Sequence, residues 1–217
     1  MVQTRLILRF LQVVLGYEFL GTHARSYLGR AFEFSRQFMF KWTVNWRFVG
    51  EDIFLSKPFS LALLSVHVAL LLAFLDSRWL RPAGIDLGGV KRMLLSPPTE
   101  QTQQRISRNV TPVFVLTTML SAMMIGCLCA RSLHYQFYAY IAWSTPFLLW
   151  KAGLHVVFVY AIWAAQEVAW NVYPSTNASS LVVVGCLAAA VGSGWRASGR
   201  MSYYLKGGEK SSHSHVQ

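Results

Sequence analysis

The sequence predicts an all-α integral membrane protein, a multi-spanning helical bundle, and three observations carry that prediction. First, 54% of the 217 residues are hydrophobic and 13% are charged, with a mean hydropathy of +0.37. A soluble domain carries about 25% charged residues. Second, several apolar runs approach the roughly 20 residues that cross a hydrocarbon core. Third, the chain has 20 Lys and Arg against 9 Asp and Glu, a formal net charge of +11, and these cations are split among the polar connections between the runs. In a soluble chain such an excess would point to nucleic acid. Distributed this way it suits membrane topology and anionic headgroups, and no nucleic-acid partner is expected. Cys127, Cys129 and Cys186 all lie in apolar runs. They supply neither a disulfide framework nor a four-ligand zinc spacing, and no metal is expected.

Residues 6–20, the first apolar run, are interrupted by Arg9, Gln12 and Glu18. They read as a poor first span shielded by other helices, with an uncleaved signal anchor as the competing reading, and not as a cleavable leader, which needs a clean apolar region and a small-residue cleavage site. Residues 21–57 alternate aromatics and cations, as in an interfacial or re-entrant segment. Pro58 opens a helix at its first turn, and a span near 59–75 comes next. Residues 76–109 hold Pro82, Gly84, Gly88, Gly89, Pro97, Pro98 and a Gln-rich stretch, and read as a flexible loop. Further spans are placed near 110–130, 138–150, 154–172 and 181–195. The 138–150 run is short and contains Pro146, so it is either a broken helix or a kinked span. Gly185, Gly192 and Gly194 in the last run permit close helix packing. Residues 1–195 thus form a multi-pass region and 196–217 a polar tail, expected to be disordered and cytosolic.

Alternating spans put Arg78, Arg81, Lys91, Arg92, Arg105, Arg108, Lys151 and the cations of the tail on one side. The opposite side holds fewer, so positive-inside places the 76–109 connection in the cytosol. Three polar-aromatic strings then share the other face. They are Phe38-Met39-Phe40-Lys41-Trp42-Thr43-Val44-Asn45-Trp46-Arg47-Phe48, Arg131-Ser132-Leu133-His134-Tyr135-Gln136-Phe137 and Trp170-Asn171-Val172-Tyr173-Pro174-Ser175-Thr176.

These strings hold the candidate site residues. Arg131 and Arg47 offer rigid guanidinium forks that match phosphate oxygens. His134 shares a face with Arg131 if the helix persists through the heptad, and is a second phosphate donor. Tyr135 and Gln136 are placed to meet sugar hydroxyls or a lipid chain. Trp42, Asn45, Trp46, Asn171 and Tyr173 are the remaining candidates for substrate contact. Glu167 lies four residues before Asn171, and an acid at membrane depth needs a partner, for which Arg131 or Arg47 are the candidates. Each residue has a competing structural role as topological charge, interfacial aromatic or ion-pair member. No pair of carboxylates stands out as a general acid and base, so the catalytic residue is left unassigned.

Together the three strings resemble the endoplasmic-reticulum mannosyltransferases that use dolichyl-phosphate-mannose to add the first lumenal α-1,3-linked mannose to the five-mannose lipid-linked oligosaccharide. Their order and rough spacing match, and residues 164–171 look most like fungal members. The resemblance implies a glycosyltransferase of the GT-C type serving protein N-glycosylation from the endoplasmic reticulum membrane, with the 131–137 heptad lumenal. It implies dolichyl-phosphate-mannose as donor, a dolichyl-diphosphate oligosaccharide as acceptor and membrane lipids as surroundings, with no cofactor. By position, Arg131 and His134, with Arg47 assisting, resemble the element that holds the donor phosphate. In such enzymes an acidic residue of the first lumenal loop activates the acceptor. The resemblance reaches only their C-terminal half, so that base is expected upstream and the chain alone is expected to be inactive. The competing expectation is a non-catalytic multi-pass scaffold or lipid-binding subunit.

Overall fold

A computed structural model describes residues 2–31 and 39–213, which fall in two units, Met1–Phe38 and Met39–Gln217. The first unit is α1, Val2–Ala31, with a non-helical residue at His23. It contains the run read as a first span and extends beyond it.

The second unit contains α2 (Glu51–Leu55), α3 (Lys57–Phe74), α4 (Leu87–Leu95), α5 (Glu100–Asn109), α6 (Pro112–Cys129), α7 (Tyr138–Lys151), α8 (Val156–Trp170) and α9 (Asn177–His213). Among the described residues there is no strand. Among the described residues, three helical stretches are long and apolar enough to cross a membrane, namely Lys57–Ala83, Pro112–Cys129 and Asn177–Gly199. Helix α8 is apolar but shorter.

Local chemistry sets the helix starts. Ser56 Oγ accepts from the Phe59 N–H at 3.3 Å and Thr111 Oγ1 from that of Phe114 at 3.2 Å, each just before a proline in the first turn. At α9, Thr176 Oγ1 accepts from the Ser179 N–H at 3.1 Å while Ser179 Oγ accepts from the Thr176 N–H at 2.9 Å, a reciprocal cap. Helix α7 keeps Pro146 inside and ends at Lys151, just before Gly153, whose φ of +79° suits the left-handed turn that follows a helix.

The 76–109 stretch departs from the loop expected of it. A π-helical turn at Leu75–Leu80 prolongs α3, and α4 and α5 occupy most of the remaining residues up to 109. The cause is local chemistry, with a side-chain cap at α4 alone. Asp86 Oδ1 takes the Gly89 N–H at 2.6 Å and starts α4, Pro97 and Pro98 separate it from the next helix, and Thr99 precedes α5. The helical backbone of α9 runs on to His213.

Helix α9 is central and packs against α6, α7 and α8, while α3 packs on α6. The helices alternate in direction. The ends near 57, 129, 138, 170 and 177 meet at one end of the bundle, and Arg78 meets Trp195 at the other, with its guanidinium 4.2 Å from the ring centroid. Met124, Ile125, Ile141, Leu148, Val183 and Leu187 are fully buried between these helices. Leu61, Leu64 and Val68 of α3, Leu116 and Met119 of α6 and Val157 and Phe158 of α8 are exposed. An apolar exterior around an apolar core is the arrangement a hydrocarbon solvent allows, where packing and interhelical hydrogen bonds replace the hydrophobic drive. One such bond joins Thr145 Oγ1 of α7 to Gln166 Oε1 of α8 at 2.8 Å, both residues fully buried. Of the three glycines expected to permit close packing, Gly194 alone does so. A Cβ there would lie 2.5 Å from Ser121 Oγ, whereas Gly185 and Gly192 face open space.

Candidate functional site

The described parts of the three strings meet at one end of the bundle, and Asn45 is the knot that ties two of them. Its side chain is fully buried. Nδ2 donates to the Ala130 carbonyl at 2.7 Å, and Oδ1 accepts from the Leu133 N–H at 2.7 Å and from Thr43 Oγ1 at 2.9 Å. The Val44 N–H completes the pairing by donating to the Leu133 carbonyl at 3.0 Å. The third string joins through Ser175 Oγ, which donates to the Thr43 carbonyl at 2.6 Å, and the start of α9 behind it accepts from the Arg47 N–H at Ser180 Oγ, 2.8 Å away. Tyr135 and Trp170 bind the second string to the third, through Tyr135 Oη to the Val172 carbonyl at 3.0 Å and Trp170 Nε1 to the Tyr135 carbonyl at 2.9 Å. Irregular backbone at membrane depth must satisfy its polar groups internally, and these side chains do that.

Asn45 therefore braces the site from beneath, with no exposed atom to offer a substrate. Trp46 is held as a spacer. Its φ of +54° is left-handed, a conformation that costs a bulky residue about 1–3 kcal/mol. Its Nε1 donates to the Leu128 carbonyl at 3.2 Å and its ring meets Phe59 edge-on at 5.8 Å, so the surroundings hold it there.

Arg131 and His134 do not share a helical face. Helix α6 stops at Cys129, residues 130–134 are non-helical, and a 3-10 turn begins only at Tyr135. The physical reason is the pairing of Leu133 with Asn45 and Val44, which uses backbone groups that a continued helix would need. Arg131 turns toward α3, donating from Nη1 to Ser60 Oγ at 2.5 Å with its guanidinium 5.7 Å from the Phe54 ring centroid. His134 turns toward the first string, its Nδ1 3.3 Å from the Trp42 carbonyl. Arg47 lies over Phe40, 4.8 Å from the ring centroid, and donates to that residue's carbonyl at 3.3 Å.

The exposed rim is aromatic and amide-bearing. Trp42 and Tyr173 are stacked at 6.3 Å, Tyr135 meets Tyr173 edge-on at 5.7 Å, and Gln136 and Asn171 are exposed beside them in sequence. Glu167 pairs differently from the expected ion pair. Its carboxylate accepts from the Tyr138 phenol and from Asn171 Nδ2, the latter at 3.0 Å, in place of Arg131 or Arg47. An uncharged partner on the adjacent helix satisfies an acid at this depth without burying a second charge. An acid at membrane depth signals that some donor must face it, but the sequence alone does not single out Tyr138 as that donor. Thr43 and Ser175 lie within the strings without being singled out as bracing residues, and no sequence pattern marks Ser60. Below the rim, α7 and α8 form an apolar groove of about 430 Å³ lined by Trp143, Pro146, Phe147, Trp150, Tyr160 and Trp163 among others. Among the described residues no group of three His, Cys, Asp or Glu side chains is placed to hold a metal ion.

Residues 1–180 match the family model described as ALG3 protein. A relative from Neurospora crassa is 57% identical over 188 residues, covering 85% of this chain and 42% of its own length. Relatives from Scheffersomyces stipitis (38% identical over 203 residues, 88% of this chain and 43% of the relative) and Homo sapiens (39% over 180 residues, 81% and 39%) are also similar. All three carry the name Dol-P-Man:Man(5)GlcNAc(2)-PP-Dol alpha-1,3-mannosyltransferase. The chain spans about two fifths of the length of these curated relatives. No solved structure matches it.

Proposed function

From the premise that the chain belongs to the ALG3 protein family, we propose that it forms the donor-holding part of an α-1,3-mannosyltransferase that moves mannose from dolichyl-phosphate-mannose to Man(5)GlcNAc(2)-PP-Dol. The single observation that supports this most is the gathering of three strings, far apart in sequence, by the bonds of Asn45, Ser175 and Tyr135. That junction sets Arg131, His134 and Arg47 around one end of a membrane bundle. A guanidinium and an imidazole there suit a phosphodiester whose bridging oxygen gains charge as the sugar leaves. The Trp42–Tyr173 pair presents flat apolar faces with polar edges, which suit a sugar ring, and Gln136 adds an amide donor and acceptor, while Asn171, whose Nδ2 donates to the Glu167 backbone and side chain, adds only its Oδ1 as acceptor. The polyisoprenoid tail would lie in the apolar groove of α7 and α8. Glu167, Tyr138 and Asn171 act as supports of the rim.

In the full-length family context, Arg131→Ala should lower transfer to the lipid-linked acceptor by about 10²-fold and His134→Ala by less, since removing one preorganised donor to a developing negative charge costs that order. Arg131→Lys should recover part of the loss, a point charge replacing a fork. Wild-type turnover by both alanine variants would sink the assignment.

The bundle is placed in the endoplasmic reticulum membrane with the strings on the lumenal side. In support, the second unit through Gly199 carries Lys41, Arg47, Lys57 and Arg131 at the end of the strings, against Arg78, Arg81, Lys91, Arg92, Arg105, Arg108, Lys151 and Arg196 toward the other end. Glycosylation reporters fused at the C-terminus and inserted between α4 and α5 should remain unmodified. A modified C-terminal reporter would invert the orientation and remove the strings from the lumen.

A further inference from the structure

At the end of the bundle remote from the strings, α4 and α5 enclose a cleft of about 330 Å³. Arg92, Arg105, Ser96, Thr99 and Thr102 give it polar lining. Asp86 also borders it, but its Oδ1 is occupied by the Gly89 N–H at 2.6 Å as the α4 cap. Arg105 is laid against the left-handed turn at Gly84 (φ +66°), where a Cβ would come within 2.9 Å of its Nη1. That glycine therefore serves two ends, permitting the turn and giving the guanidinium room.

Two further observations say what the cleft faces. Leu94 and Leu95 are 82% and 78% exposed, just beyond Arg92 in the same short helix. Residues 76–109 carry six cations (Arg78, Arg81, Lys91, Arg92, Arg105 and Arg108) against three acids (Asp76, Asp86 and Glu100). The α4–α5 pair also connects two membrane-crossing stretches, Lys57–Ala83 and Pro112–Cys129, and α5 ends three residues before the second begins. Such short tethers keep the pair at headgroup depth. Apolar side chains projecting beside cations at that depth are the pattern of a segment that dips into the interface while its charges meet lipid phosphates.

We propose that the α4–α5 cleft binds the phosphate of an anionic phospholipid headgroup, with Arg92 and Arg105 as donors and Leu94 and Leu95 inserted among the acyl chains. This is independent of the transferase reading and requires only that the bundle sits in a membrane. A free phosphate would satisfy the arginines but leave the two leucines in water.

The test uses the full chain in detergent micelles doped with phosphatidylinositol or phosphatidylcholine, with retained lipid read by native mass spectrometry. Each basic residue at an anionic surface is worth about fivefold in binding, so R92Q/R105Q should retain about 25-fold less phosphatidylinositol. Lys151→Gln, a cation at the same end outside the cleft, should retain it as the parent does. Phosphatidylcholine should be retained weakly by all three, and millimolar inorganic phosphate should leave phosphatidylinositol bound. If the double variant fails to fold, Arg92→Gln and Arg105→Gln singly should each show about a fivefold loss. Equal retention of the two lipids, undiminished binding by the double variant, an equal loss in Lys151→Gln, or displacement by inorganic phosphate would each overturn the proposal.

Discussion

Replacing Asn45 with alanine should lower the stability of the chain by about 3–5 kcal/mol, at the far end of what single substitutions do. The substitution deletes the acceptor of the Leu133 N–H and of the Thr43 hydroxyl and the donor to the Ala130 carbonyl, all away from solvent. Each buried group left without a partner costs about 1–3 kcal/mol, and no shift of one backbone segment can replace three bonds converging on one amide. Thermal unfolding of the full chain in detergent should show the midpoint about 10 °C or more below the parent, by the usual size scaling. Asn45→Asp should fare no better, because a carboxylate cannot donate to Ala130 and buries a charge. Gln136→Ala, on the exposed rim, should leave the midpoint unchanged. A parent-like midpoint for Asn45→Ala would mean that the strings are held together by something other than this amide.

Gly194→Val should be strongly destabilising where α9 packs on α6. Even a Cβ at this position falls 2.5 Å from Ser121 Oγ and 3.2 Å from Ser121 Cβ, with a Leu148 methyl at 3.8 Å. The added atoms must push α6 from α9, and overpacking a filled interior costs about 1–3 kcal/mol or more. The effect should be graded, with Gly194→Ala milder than Gly194→Val. Ser121→Ala should relieve Gly194→Ala in part, because it removes the nearer of the two offending atoms. The coupling in a double-mutant cycle, read from detergent unfolding midpoints, checks this. Strict additivity of the two substitutions would show that the helices do not meet at this point.

Several features of the site are legible in the sequence. The order of the strings and the alternation of spans put residues 39–48, 131–137 and 170–176 at a common end, and the structure brings them there. Glu167 announces that it needs a partner. The identity of that partner is not legible, because Tyr138 looks like one more aromatic of an apolar helix and only the packing of α7 on α8 turns its phenol toward the carboxylate. Helical spacing suggests that Arg131 and His134 act side by side. It fails because α6 ends at Cys129, and nothing in the local sequence announces that stop. The cause is the Asn45–Leu133 bond, made with a residue far away in the chain. The helices of 76–109 are hidden for the opposite reason. Their start signals, the Asp86 cap of α4 and the prolines before α5, are local, but Pro, Gly and Gln dominate the composition and mask them.

By itself, then, the sequence determined the membrane-spanning helical class, the family and the three strings that matter, because apolar run length, charge placement and unusual residue strings are properties of the chain read linearly. Only the tertiary structure decided which side chain braces and which one faces outward. Asn45 became a buried knot, Trp46 a strained spacer, Arg131 a neighbour of Ser60 and Phe54, and Glu167 the partner of a phenol. Those roles depend on which donors and acceptors remain unpaired once the helices pack, and each is settled by groups that lie dozens of residues away in sequence.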